Sequence, residues 1–240
     1  MLFNSVQFVL FFTVVTIVYF SLSYKFRWIL LLAASYYFYM CWKPEYIILI
    51  FGSTVVDYFS AIQIAKSKSK KKRKFFLLFS LFANLSVLFF FKYFNLFNDT
   101  VYNILNSFNI FYNKPAFNIL LPVGISFYTF QTLSYTIDVY RGNTEPERHF
   151  GKFAVFVSFF PQLVAGPIER SNRLIPALKK KVEFSYENLA EGLKIMLWGY
   201  FMKLVVADRL SLYVDAVYNN LNHHSSWTII TASAFFLFQI

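Results

Sequence analysis

An all-α, polytopic helical membrane protein is the fold class this sequence predicts, on three observations. Of its 240 residues, 58% are hydrophobic, 22% aromatic and 15% charged, whereas soluble domains carry about 25% charged residues. Its apolar residues come in long unbroken runs, not in the ~10-residue alternating segments of a membrane β-barrel. Its net charge of +11 gathers in short stretches between those runs. There it orients a chain in a bilayer rather than marking a nucleic-acid partner.

The runs follow in order. Leu2–Phe20 is uncharged; no basic stretch precedes it and no small-residue cleavage site follows it, so it is expected to stay as a span rather than leave as a signal peptide. Trp28–Trp42 is short and uncharged, and holds the single cysteine, Cys41, read as a small buried hydrophobe. Tyr46–Ala65 contains one acid, Asp57, and Phe75–Phe97 is apolar but for Asn84, Lys92 and Asn95. Leu120–Tyr140 carries Ser126, Thr129, Gln131, Thr132, Ser134, Thr136 and Asp138. Phe153–Ile168 is short and is interrupted by Pro161, Gly166 and Pro167, with Gln162 among apolar neighbours. Leu193–Val206 carries Lys194 and Lys203, and the pair Asp208-Arg209 after it is read as closing that helix. Ser225–Ile240 is uncharged, and the chain is expected to be a truncated piece ending inside this last apolar segment. A span needs about 20 residues, so Trp28–Trp42 and Phe153–Ile168 are read as tilted short spans or re-entrant pieces. Without linker, low-complexity tract or repeat, residues 1–240 are read as one membrane domain.

Lysine and arginine set the expected orientation. The stretch Lys66 to Lys74 holds seven cations and no acid, and such a loop stays cytoplasmic. By alternation, Lys25, Arg27 and the loop from Arg141 to Lys152 fall on the same side, while the N-terminus and the segment Asn95–Asn118 fall outside.

Two stretches carry the strongest functional signal, LPVGISFYTFQTLSYTIDVYRG and FFPQLVAGPIERSNRLIPAL. Hydrophilic side chains and broken main chain at membrane depth cost several kcal/mol unless protein or a water-filled cavity satisfies them, so they point to an interior site. Histidine is the usual general base near neutral pH, but His149, His223 and His224 all fall in polar stretches and are read as surface imidazoles. Ser126 lacks the second glycine of a nucleophile elbow and any preceding strand. No set of ligands has metal spacing, and no metal site is expected. Asp138 is read as pairing with Arg141 three residues on, and Asp57 as bonded to tyrosine hydroxyls or to another span.

The blocks MLFNSVQFVLFF, ASYYFYMCWKPEYIILIFGSTVVDYF, LPVGISFYTFQTLSYTIDVYRG, FVSFFPQLVAGPIERSNRLIPAL and GLKIMLWGYFMKLVVADRL together resemble the membrane-bound O-acyltransferase family, in its bacterial alginate O-acetyltransferase branch. The resemblance runs from Met1 to about Asp215. It implies a ring of helices around a thinned centre with short re-entrant segments, here as the incomplete N-terminal part of that scaffold. It implies a multi-pass enzyme of the cytoplasmic membrane that O-acetylates an exported polysaccharide with extracytoplasmic partner acyltransferase proteins. No bound cofactor is expected; the acyl donor, an acetyl thioester, is a substrate. The family's essential histidine lies in a tryptophan-arginine-arginine-tryptophan-histidine block that no position here matches. It is expected beyond Ile240, so this chain alone is predicted inactive and contains no catalytic residue. Gln131, Gln162 and Arg170 are the candidate substrate-binding residues, placed by polarity at membrane depth and by the family blocks. A glycan or lipid transporter, and a non-catalytic membrane partner subunit, are the rival readings.

Overall fold

The computed structural model describes residues 1–108, 110–111, 121–163, 166–167 and 169–239. All regular secondary structure among them is helical. Two compact units emerge, one formed by Thr13–Lys181 with Met1, the other by Leu2–Phe12 with Val182–Ile240. The first helix, α1 (Val6–Ser21), contributes residues to both.

The first unit contains α2 (Arg27–Met40), α3 (Ile47–Lys66), α4 (Lys70–Ser107), α5 (Ile125–Arg141), α6 (Phe150–Ser158), α7 (Phe160–Leu163) and α8 (Ser171–Lys179). Helices α3, α4 and α5 pack on one another, and α6 lies against α2, α3, α5 and α8. Every residue of α6 from Phe153 to Ser158 is buried. A helix apolar all round belongs inside, and here it is surrounded by protein instead of lipid. The short segment expected to be sheltered is therefore the centre of the unit. Ile168, and positions 164 and 165 in the same stretch, lie outside the described residues.

Helix α5 shows why its polar flecks are tolerated. Seven of its nine buried positions, Ile125, Tyr128, Thr129, Thr132, Tyr135, Thr136 and Val139, recur at three- and four-residue spacing, one face of a helix, and Gln131 and Leu133 extend the burial beside it. Gly124 and Gly142, both with positive φ (76° and 81°), flank it. At the C-terminal end the Gly142 N–H donates to Val139 O and the Asn143 N–H to Asp138 O, the paired bonds of a left-handed glycine stop.

Several details depart from expectation. The basic loop is only Ser67–Ser69, because Lys66 ends α3 and Lys70–Lys74 are already helical in α4. With 38 residues, α4 is about 57 Å long at ~1.5 Å per residue, well beyond a ~30 Å hydrocarbon layer. It continues through Ser107, so the first part of the segment expected between spans prolongs the helix; 109 and 112–120, including the start of the Leu120–Tyr140 run, lie outside the described residues. Cys41 is exposed, not buried, because α2 ends at Met40 and Cys41 caps it. Asp138 meets the Asn143 side-chain amide at 3.4 Å where Arg141 was expected.

Gly151 marks a tight α2–α6 crossing. A Cβ added there would lie 2.1 Å from Trp28 Cζ3, and the Trp28 ring is held edge-on against His149 with centroids 4.8 Å apart. Overpacking a filled site costs about 1–3 kcal/mol. Gly151→Ala is expected to lower the thermal midpoint of the full-length protein, and Trp28→Leu in the same chain is expected to recover most of that loss.

The second unit holds α9 (Tyr186–Phe201), a π-helical turn (Met202–Ala207), α10 (Asp208–Tyr218) and α11 (Ser226–Gln239). Asp208-Arg209 does not close the helix; the backbone runs through the π turn into α10. The wider turn brings residues five apart together, and Lys203 Nζ lies 2.7 Å from Asp208 Oδ1. Helices α10 and α11 bury Val214, Val217 and Ala232 between them, with Tyr218 Oη 2.9 Å from Ser233 Oγ. Ile240 lies outside the described residues.

Candidate functional site

The break between α6 and α7 creates the site. In an uninterrupted helix the Phe160 N–H would donate to Phe156 O. Phe159 takes φ −53°, ψ 109° instead, and the Phe160 N–H donates to Ser35 Oγ on α2 at 3.2 Å. Phe156 O is thereby released inside a buried region, where an unmet carbonyl is costly. Two side chains satisfy it. Gln131 Nε2 on α5 donates to it at 2.8 Å, and Gln162 Nε2 on α7 at 3.3 Å. Pro161, second in α7, has no N–H, which the first turn of a helix leaves unbonded anyway. Beyond α7 the Gly166 N–H donates to Gln162 O at 3.0 Å.

Gln131 and Gln162, two of the three candidates, thus converge on one main-chain acceptor, and both are buried. Arg170 does not join them. It is exposed, and its carbonyl caps α8 by accepting from the Arg173 and Leu174 N–H groups. Nearby on α2 and α5, the hydroxyls of Tyr39 and Tyr128 are buried without a hydrogen-bond partner among the described residues. The shelter around the glutamines is packed protein, contributed by α2, α5, α6 and α7. Chemically, the described residues of this region supply amide, phenol and hydroxyl groups that can orient a polar guest. His149 is exposed at the start of α6, where its Nδ1 accepts from the Lys152 N–H. His223 and His224 lie in the polar turn of the second unit.

A second polar cluster, outside the candidate list, holds α3, α4 and α5 together. Asp57 Oδ1 accepts from Ser80 Oγ and from Asn84 Nδ2 (2.9 Å), and its Oδ2 accepts from Asn84 Nδ2 at 3.0 Å. Ser53 Oγ donates to Asn84 Oδ1 at 2.6 Å. Thr132 and Thr136 of α5 adjoin the same carboxyl. Asp57 is fully buried and is met by another span, as the sequence suggested, though through serine and asparagine rather than tyrosine. Four-residue spacing of Ser53 with Asp57, Ser80 with Asn84 and Thr132 with Thr136 was the legible signal.

The basic stretches also come together at one end of this unit. Arg73 donates to Tyr140 O and lies over the Tyr140 ring, Tyr58 Oη donates to Arg148 O, and Tyr24 Oη to Lys179 O. Glu147, within the stretch from Arg141 to Lys152 expected to be a loop between spans, is buried. It bonds the His149 N–H through Oε1 and pairs through Oε2 with Lys179 Nζ at 2.6 Å.

The chain is 37% identical to the probable alginate O-acetylase AlgI of Pseudomonas aeruginosa over 194 residues, 80% of this chain and 36% of that protein. It is 34% identical to the peptidoglycan O-acetyltransferase of Helicobacter pylori over 213 residues, 77% of this chain and 39% of that protein. The relatives that it matches are members of the membrane-bound O-acyltransferase family. A teichoic acid D-alanyltransferase of Bacillus subtilis is similar at 24% identity over 104 residues, 42% of this chain and 26% of that protein. No family model matches the chain, and no solved structure matches it. The chain spans between 36% and 40% of the length of the O-acetylase relatives. Similar to part of these O-acetyltransferases, the chain carries the buried α6–α7 break and the glutamine pair within a helical membrane fold.

Proposed function

We propose that this chain is part of an integral-membrane O-acyltransferase that moves an acetyl group from a thioester donor to a hydroxyl of an exported polysaccharide. The observation that carries this is the sheltered α6–α7 break, fixed by Gln131 and Gln162 on Phe156 O, in a chain related over four-fifths of its length to a protein named as an O-acetylase.

In the transfer, the acceptor oxygen attacks the thioester carbonyl carbon, the C–S bond breaks, and the thiol leaves with the hydroxyl proton. The base for that proton is a histidine in the part of the relatives' length that this chain does not span. The role of these residues is positional. The glutamine pair holds the break rigid, and the Tyr39 and Tyr128 hydroxyls orient polar groups of a substrate at the interior. Arg170, on the exposed lead into α8, takes part as a surface contact for substrate. The enzyme sits in the cytoplasmic membrane with the Lys66–Lys74 end inside and the N-terminus outside, and works beside extracytoplasmic partner acyltransferases. A reporter fused at Lys70 is expected to read cytoplasmic.

The test is base-labile acetate on the exported polysaccharide of cells with and without the full-length gene. Ester that disappears with the gene, while polysaccharide export continues, is the expected result; loss of export with unchanged ester per sugar would favour a transporter. Within the full-length protein, Gln131→Leu with Gln162→Leu is expected to cut ester formation by about tenfold to a hundredfold, the range for a misplacement near 1 Å. Each single change leaves Phe156 O one donor, so its effect is expected to be much smaller than half of the double in free-energy terms.

A further inference from the structure

We propose that the cleft between the end of α3 and the first turns of α4 binds the phosphodiester headgroup of an anionic glycerophospholipid. The cleft has a volume of about 430 Å³ and is lined by Gln63, Lys66, Ser67, Lys72, Phe75 and Phe76. That is the size range of small-molecule sites, roughly 300–1,000 Å³.

Four features select an anion with an apolar tail. First, the stretch from Lys66 to Lys74 holds seven cations and no acid. Lys66 and Lys72 make no ion pair among the described residues, whereas Arg73 is already committed to Tyr140. Second, α4 starts with its first-turn N–H groups uncapped by a side chain, since Ser69 makes no capping bond. The positive end of a helix thus adds to the two lysines. Third, the cleft lies where α4 passes from cationic to apolar, between Lys74 and Phe75. Phe75, Phe79 and Phe82 are 63%, 49% and 75% exposed and are spaced by four and three residues, so they form one stripe running away from the cleft. A lipid places its phosphate beside Lys66 and Lys72 and its chains along this stripe; a free phosphate has no partner for the aromatic wall. Fourth, the adjoining cavity of about 590 Å³ sets the Glu145 carboxylate among its cations Lys66 and Arg148, whereas the α3–α4 cleft is lined by cations with no acid. This binding depends on membrane embedding alone and stands apart from the acyl-transfer proposal.

The test uses the full-length protein in nanodiscs of phosphatidylglycerol or phosphatidylcholine, with lipid retained after extraction counted by native mass spectrometry. Retention of phosphatidylglycerol over phosphatidylcholine is expected. Lys66→Gln with Lys72→Gln is expected to reduce retention at least about fivefold, the weight of a single surface lysine toward anionic lipid. The charge-matched pair Lys68→Gln with Lys71→Gln, outside the cleft, is expected to stay within twofold of wild type. All four lysines are exposed, so folding is preserved, and unchanged thermal midpoints check this. Equal losses from the two pairs would reduce the effect to diffuse charge and overturn the site. Equal retention of phosphatidylcholine would overturn it as well. Displacement of the lipid by millimolar inorganic phosphate would overturn the lipid in favour of a free-phosphate site.

Discussion

Asp57→Ala is expected to destabilise the full-length protein by about 2–4 kcal/mol and to lower the yield of folded material from membranes. The carboxylate is the acceptor on which Ser80 and Asn84 converge, so it ties α3 to α4, with Thr132 and Thr136 of α5 beside it. Hydrogen bonds to a charged group contribute about 1.5–3 kcal/mol each in soluble proteins, while interhelical bonds in membranes average nearer 0.6 kcal/mol. The larger figure is favoured here because alanine strands two donors in a site that is fully buried and closed to replacement partners. Asp57→Asn keeps one acceptor oxygen but points an amide at the Asn84 amide, so it is expected to fall between. Combining Asp57→Leu with Ser53→Ala, Ser80→Ala and Asn84→Leu removes the acceptors and their donors together and is expected to recover most of the loss. Thermal unfolding in detergent, followed by intrinsic fluorescence, orders the three variants. A harmless Asp57→Ala would mean that the three helices are held by apolar packing alone.

The helical membrane class was legible because composition and run length are bulk properties that tertiary contacts do not reverse. Gln131 and Gln162 were legible as interior residues because an amide in an oily run needs a partner. The partner itself was not, since Phe156 O is a main-chain atom that any residue carries, set free only by the extended backbone at Phe159. Arg170 shares a sequence block with Gln162, yet it is exposed at the start of α8, away from the interior pair. Lys203 and Asp208 are five residues apart, a spacing that an α-helix would separate and the π turn joins. Glu147 was missed because its burial depends on Tyr135, whose Oη accepts the Glu147 N–H, and on Lys179, 32 positions further along. Cys41 fell on the wrong side because the apolar run continues to Trp42 while the helix stops at Met40.

Gly166→Ala is expected to cost the full-length protein about 2–4 kcal/mol and at least about tenfold in ester formation, a larger functional loss than either glutamine single variant. A Cβ at Gly166 would lie 2.4 Å from Gln162 Cα and 2.7 Å from Gln162 Cβ. Atoms this close must part, and the nearest one is main chain, so no rotamer change relieves the clash. The turn is closed by the Gly166 N–H on Gln162 O. Opening it pushes the Gln162 main chain, whose N–H is bonded to Phe159 O, so the α6–α7 break itself shifts in addition to the loss of one donor on Phe156 O. Gly192 supplies the internal control. It lies in α9, where an added Cβ meets nothing within 4 Å, and Gly→Ala in a helix interior is worth roughly 0.5–1 kcal/mol of added stability. The two substitutions are chemically identical and should move the thermal midpoint in opposite directions. If Gly166→Ala leaves both the midpoint and ester formation as they are in the wild type, the turn is not seating Gln162, and the glutamine pair loses the geometry on which its positional role depends.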